Sequence, residues 1–184
     1  MTDLAFGQPD DGIIQMAYTV ADLGQAMAQF TADLGAGPWF VFRQLSGPNP
    51  QYRGTPSQAA CDIALGYAGH MQIELIQPKD DHPSVYLETI MQRGHGFHHF
   101  GVAATDFALA CDRLAAKTYD LAFSDEVVGV TRVAYFDTRG LLPGMIEVIE
   151  ATPQLESLFL MMHEAAVGWD GTNPVREMAG ENTQ

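Results

Sequence analysis

The sequence predicts an α+β fold of two tandem β-α-β-β-β modules followed by a C-terminal helix. The first observation behind this is an internal repeat: GIIQMAYTVADL, Gly12 to Leu23, superposes without a gap on GFHHFGVAATDF, Gly96 to Phe107. Each copy opens on glycine, alternates along an apolar run and reaches an aspartate, Asp22 or Asp106, suited to cap a helix. The second observation is that the same order of one helical and three strand-like periods follows each copy. The third is size: 184 residues, 47% of them hydrophobic, suit one compact domain or two small fused modules.

In chain order, the run from Gly12 reads as a strand carrying Gln15 to Val20, and Leu23–Leu34 as a helix through Ala26, Met27, Phe30 and Leu34, stopped by Gly35. Trp39–Phe42 is a strand, Ser46–Ser57 a loop rich in Gly, Pro and Asn, and Ala60–Tyr67 and His70–Gln77 are strands. Pro83–Arg93 is a connecting helix ended by Gly94. Gly96–Ala104 is then a strand, Asp106–Lys117 a helix, and Leu121–Val128, Val130–Phe136 and Gly144–Glu150 are strands. The modules therefore occupy 12–77 and 96–151, joined by a helical linker, 78–95, within a domain of residues 1–151. Residues 152–184 supply an amphipathic helix, Leu155–Val167, and a polar tail expected to be loose.

Charge narrows the function. With a formal net charge of −14 and nine Lys and Arg, the chain is a poor match for nucleic acid or an anionic membrane surface. No apolar run reaches the length of a membrane span, and the first residues lack a signal-peptide pattern, so a cytoplasmic location is expected. Cys61 and Cys111 form no metal spacing and read as free thiols.

The repeat also locates a site. MQIELIQ, 71–77, aligns with MIEVIE, 145–150, setting Glu74 on Glu147, while Gln15 falls on His99. Adjacent strand residues face opposite ways, so Gln15, Ala17, Thr19, Phe97, His99, Gly101 and Ala103 belong to the face away from the helices. On this reading His98 packs under a helix with Phe100 and Val102. One imidazole, one amide oxygen and two carboxylates at equivalent repeat positions suit one divalent ion such as zinc, nickel, cobalt, manganese or iron(II). Each residue alone also has an ordinary reading, as strand polar group, solvated charge or hydrogen-bonded histidine. His70, His82, His95 and His163 lack repeat support and are assigned no ligand role.

IIQMAYTVADL, MQIELIQP, GFHHFGVAATDF and GMIEVIEA together resemble the vicinal oxygen chelate superfamily, the family of glyoxalase I, methylmalonyl-CoA epimerase, extradiol dioxygenases and bleomycin-resistance proteins. The resemblance covers roughly Gly12 to Ala151. It implies that the module sheets curl into a shared cleft, and that the metal ligands are Gln15, Glu74, His99 and Glu147. The combination is similar to that of eukaryotic-type glyoxalase I, which favours zinc. The implied reaction is that of a glyoxalase-like isomerase, epimerase or lyase. It chelates vicinal oxygens of a small substrate and stabilises an enolate or enediolate, with Glu147 as base and Glu74 returning the proton.

Trp39, Phe40, Phe42 and Tyr52 are candidate walls of an apolar or aromatic substrate pocket, with Arg53 as an anchor. Lys79 and Lys117 are the only lysines, which counts against a CoA or glutathione substrate. Two alternatives stand beside this: an extradiol-type ring-cleaving dioxygenase, and a metal-free ligand-sequestering protein of the bleomycin-resistance kind. A homodimer is expected, with the cleft formed within one chain or by exchange across the dimer.

Overall fold

The computed structural model describes residues 3–178. The first module runs β1 (Ile13–Thr19), α1 (Leu23–Leu34), β2 (Trp39–Leu45), the short strands β3 (Gln51–Tyr52) and β4 (Thr55–Pro56), β5 (Cys61–Ala68) and β6 (Met71–Pro78). After α2 (Val85–Arg93) the second runs β7 (Gly96–Ala104), α3 (Phe107–Ala115), β8 (Asp120–Val127), β9 (Thr131–Asp137) and β10 (Met145–Glu150). Helix α4 (Pro153–Ala166) and strand β11 (Val175–Glu177) follow.

The helices start where the sequence places their caps. Asp22 and Asp106 accept from the backbone N–H of Gln25 and Leu109, and Thr152 does the same for Leu155 with Pro153 at the first turn of α4. Gly35 ends α1 in the left-handed region, at φ 66°, where a side chain would be strained.

All the strands join one sheet, in the order β11-β2-β5-β6-β1-β7-β10-β9-β8-β3-β4. The expected 46–57 loop contains the β3–β4 hairpin, and β3 pairs with β8 at the opposite end of the sheet from β2. A flat sheet would separate β2 and β3 by about 38 Å, eight strand spacings. The link of residues 46–50 spans roughly 20 Å at most. The sheet must therefore curl until its ends approach each other, and this makes the cleft.

Helices α1 and α3 cover the convex face. Leu23 and Met27 of α1 pack on Trp39, Val41, Ile73 and Leu75, and Ala110 and Leu114 of α3 pack on Ala134, Phe136 and Val148. Inside the curl, Leu155, Phe159 and Met162 of α4 and Val85 and Tyr86 of α2 join a separate cluster with Ile14, Leu65, Phe123 and Ile149. The cleft is thus formed within one chain and roofed by the C-terminal helix.

The tail differs from expectation as far as it is described. β11 pairs in parallel with β2, Val175 opposite Trp39 and Glu177 opposite Val41. Trp169 lies so close to Gly37 that a Cβ there would sit 2.6 Å from its ring. Arg43 donates to both carboxylate oxygens of Glu177, at 3.1 and 2.6 Å. The sequence hides this strand because its three residues contribute edge hydrogen bonds and an exposed ion pair, with little apolar periodicity. The part of the tail expectation covering 179–184 lies outside the described residues. Deleting 173–184 should cost about 2 kcal/mol, the scale of the edge hydrogen bonds lost. That corresponds to a fall in melting midpoint of roughly 4–8 °C with cooperativity kept; an unchanged midpoint or loss of the cooperative transition would contradict this.

Candidate metal centre and cavity

At the centre of the sheet β1 and β7 run antiparallel, each flanked on its outer side by a parallel strand of its own module. Two rows of side chains cross this seam. One is Glu74–Ala17–His99–Met145, the other Gln72–Gln15–Gly101–Glu147. Residues two apart on a strand share a face, so both rows point into the curl. Ala17 and Gly101 hold the positions beside the long polar groups. At Gly101 a Cβ would meet Gln15 Oε1 at 2.7 Å, so the glycine is what gives the Gln15 side chain its space.

The polar ends converge on one atom. His99 Nε2 lies 2.9 Å from Glu147 Oε2, 3.2 Å from Glu74 Oε2 and 3.4 Å from Gln15 Oε1. Donor atoms of Glu74, His99 and Glu147 lie within 4.8 Å of one another, and all three residues are buried. Nε2 offers one proton and sits nearest Glu147, and Glu74 Oε2 is left buried without a hydrogen-bond partner. Burial, partly offset by His99, raises the Glu74 carboxyl above its usual range, and the like charge of Glu147 adds to the shift. For His99 burial opposes the charged form, but Glu147 and then Glu74 outweigh it and lift the imidazole to about 9. An orphaned oxygen and a second carboxylate around one imidazole form a donor set matched to a divalent cation.

His98 does not lie under α1 or α3 on the convex face with Phe100 and Val102; it faces the inside of the curl, against α2. Between the pairs Ala17–His99 and Tyr18–Phe97 the register of β7 slips by one residue, and the bulged residue is His98. The bulge returns Phe97 to the convex side, against Tyr18 and Phe100, and turns His98 inward beside His99. Strict alternation therefore misplaces both residues. His98 Nε2 lies 3.2 Å from the Val85 carbonyl oxygen, and its Nδ1 is 2.8 Å from His99 Nδ1. A carbonyl only accepts, so the proton sits on His98 Nε2. Burial, then the charge of His99, holds His98 neutral. Its Nδ1 must accept from His99 Nδ1, which leaves His99 Nε2 for the cluster.

A cavity of about 150 Å³ opens above the cluster, with Gln15, Glu74 and Glu147 in its wall. Tyr86 and Tyr135, whose hydroxyls are 3.2 Å apart, add to the polar end. Phe42, Leu65, Phe123 and Ile149 line much of the remainder, together with the polar Ser46, Asp125 and Thr131, roofed by Leu155, Leu158 and Phe159 of α4, with no Lys or Arg among the described lining residues. Of the aromatic residues expected there, Phe42 alone is present. Trp39 faces α1, donating to Thr31 Oγ1, and Phe40 packs in the core with Arg176 across its ring. The Tyr52 hydroxyl donates to Glu88, and Arg53 is paired with Glu88 and Asp137, which ties the β3–β4 hairpin to α2. These four residues are thus spent on structure. His163 stacks on His70 away from the cluster.

Sequence reasoning missed Gln72, Tyr86 and Tyr135. Gln72 is fully buried two residues before Glu74, so the period-two rule that selects Glu74 also selects it. Tyr135 lies opposite Glu147 on β9 and comes from pairing alone.

A sequence model described as the Glyoxalase/Bleomycin resistance protein/Dioxygenase superfamily matches residues 14–135. No curated protein sequence matches the chain. Among solved structures, methylmalonyl-CoA epimerase from Mycobacterium tuberculosis superposes with a TM-score of 0.59 at 21% identity, over 85% of this chain and 95% of that one. A Streptomyces coelicolor methylmalonyl-CoA epimerase superposes with a TM-score of 0.57 at 12% identity, over 78% of this chain and 99% of that one. These likenesses are of fold.

Two measurements check the geometry. His98→Leu leaves His99 Nδ1 buried without an acceptor and should cost about 1–3 kcal/mol in denaturant unfolding, whereas His98→Gln, which keeps an acceptor, should cost less; wild-type stability in the leucine variant would contradict the contact. In chelator-treated protein, the stability that the His99 proton brings is fully present below its ordinary value of 6.5 and is lost as pH rises through about 9. The melting midpoint should therefore fall across that window, and a flat profile would contradict the ion pairing.

Proposed function

Because this chain belongs to the Glyoxalase/Bleomycin resistance protein/Dioxygenase superfamily, we propose that it is a metal-dependent enzyme moving a proton next to a carbonyl, as an isomerase, epimerase or lyase of glyoxalase type. The observation that carries the reading is the convergence of Gln15, Glu74 and Glu147 on His99 Nε2 at the polar end of an apolar cavity. These four residues would hold one divalent ion, and the orphaned Glu74 oxygen fits that role. When bound, the ion supplies Lewis acidity toward neighbouring substrate oxygens, with zinc the favoured metal.

The chain's own groups do the rest. Glu147, exposed to the cavity, takes the proton from the carbon beside the substrate carbonyl, and Glu74, facing it across the seam, returns one. The apolar walls and the α4 roof exclude water and strengthen each electrostatic contact at the reacting atoms. Tyr86 and Tyr135 stay protonated, chiefly by burial, and since one hydroxyl donates to the other, one proton of the pair is left for a substrate oxygen.

The lining also selects the substrate. A cavity this small, with three carboxylates, Glu74, Asp125 and Glu147, and no Lys or Arg among the described lining residues, favours a compact, uncharged, apolar or aromatic molecule carrying vicinal oxygens. It disfavours a CoA thioester, whose phosphates call for cations.

Purified protein should contain, or take up after chelation, about one divalent ion per chain; no uptake would overturn the reading. Supplied with a panel of uncharged α-hydroxy ketones in deuterium oxide, it should exchange the carbon-bound proton, read by NMR. Glu147→Gln should lower that exchange about a hundredfold or more in the chemical step. Undiminished exchange in the variant would remove Glu147 as the base.

A further inference from the structure

Gln15 can turn either end of its amide toward the cluster: the two carboxylates favour its NH2 end, and a proton on His99 Nε2 favours its oxygen. The structure has the oxygen there. Gln15 Oε1 faces His99 Nε2, while Gln15 Nε2 donates to Gln72 Oε1 at 2.8 Å. Behind it Gln72 Nε2 donates to the Tyr67 hydroxyl at 3.2 Å, and that hydroxyl donates to the Phe159 carbonyl oxygen on α4 at 3.4 Å. Gln15, Gln72, Tyr67 and Phe159 are all buried.

The direction of every bond is set from the far end. A carbonyl cannot donate, so the Tyr67 proton goes to Phe159 and its oxygen accepts from Gln72. Gln72 then has only its oxygen left for Gln15, and Gln15 must give its NH2 to Gln72 and keep its own oxygen for the cluster. Reversing any one amide would set two donors or two acceptors against each other in a buried chain, a cost of about 1–3 kcal/mol for each unmatched group. The repeat-related half has a different device for the same task. There the ligand is an imidazole, oriented through His98 by the Val85 carbonyl of α2. The counterpart of Gln72 on that side is Met145, which makes no such chain.

We infer that Gln72 and Tyr67 are positioning residues, a one-way hydrogen-bond relay running from the α4 backbone to Gln15 that keeps the amide oxygen aimed at the metal-holding cluster. The inference rests on the proposed metal-binding role for its purpose, while the relay belongs to the chain itself. Because the last acceptor lies on α4, docking of the C-terminal helix sets the orientation of a ligand as well as roofing the cavity. The pull toward the wrong amide orientation comes from Glu74 and Glu147; the relay opposes it whether or not His99 Nε2 carries a proton.

The test is titration of chelator-treated protein with cobalt(II) alone, followed by its visible absorption, together with hydrogen exchange of the Gln15 side-chain amide by NMR in the metal-free state. Gln72→Met should bind cobalt about 10–100-fold more weakly, the usual scale for losing an outer partner of a ligand. Tyr67→Phe, which removes one hydroxyl and leaves the packing, should shift affinity the same way by a smaller factor. In metal-free Gln72→Met the Gln15 amide protons should lose the protection they have in the wild type. Wild-type cobalt affinity in both variants, or unchanged Gln15 exchange in Gln72→Met, would overturn the relay. If Gln72→Met does not fold, Tyr67→Phe decides by the same two readings. If the wild type takes up no cobalt, the metal reading fails, and the exchange measurement alone decides the relay.

Discussion

The antiparallel pairing of β1 with β7 is the constraint on which the molecule depends. It fuses the two repeats into one sheet within one chain and brings their equivalent residues into adjacent rows, with Gln15 opposite Gly101 and His99 opposite Ala17. Long polar groups can meet there only because their partners across the seam are small. A larger residue at position 101 would take the space that Gln15 Oε1 occupies. The same pairing fixes the parallel neighbours β6 and β10, and so the places of Glu74 and Glu147.

What the seam assembles is electrostatically costly. Two carboxylates and an imidazole are taken out of water at the polar end of a largely apolar cavity, and burial opposes the charged forms of Glu74 and His99. The fold offsets this with neighbours of matched polarity: the imidazole between the carboxylates, His98 behind the imidazole, and Gln72 behind the amide. One oxygen of Glu74 stays unmatched among the described residues. A well-packed domain retains such a group where something else is to be bound, and this is the physical content of reading the cluster as a metal centre.

Much of the architecture was legible because the chain says it twice. The repeat of Gly12–Leu23 in Gly96–Phe107 located β1, β7 and both capping aspartates, and hydrophobic periodicity located the remaining long strands and the helices. Ligand candidates followed from the same register. What alternation could not show was the bulge, which changes the faces of His98 and Phe97 without changing either residue's type. Short elements held by edge hydrogen bonds, β3, β4 and β11, lack a period to detect. The substrate wall was misjudged for a related reason. Trp39, Phe40, Tyr52 and Arg53 carry suitable chemistry, but α1, the core, Arg176 and Glu88 already claim them, and except for α1 beside Trp39 such partners are distant in sequence.

The central claim is that four side chains from the two halves hold one divalent ion at the seam. It is tested most directly by diffraction from crystals soaked in cobalt(II), with data collected at the cobalt absorption edge. The account predicts one strong anomalous peak per chain, within bonding distance of Gln15 Oε1, His99 Nε2 and the carboxylates of Glu74 and Glu147. A peak bounded by other residues, or none at saturating cobalt, would contradict it.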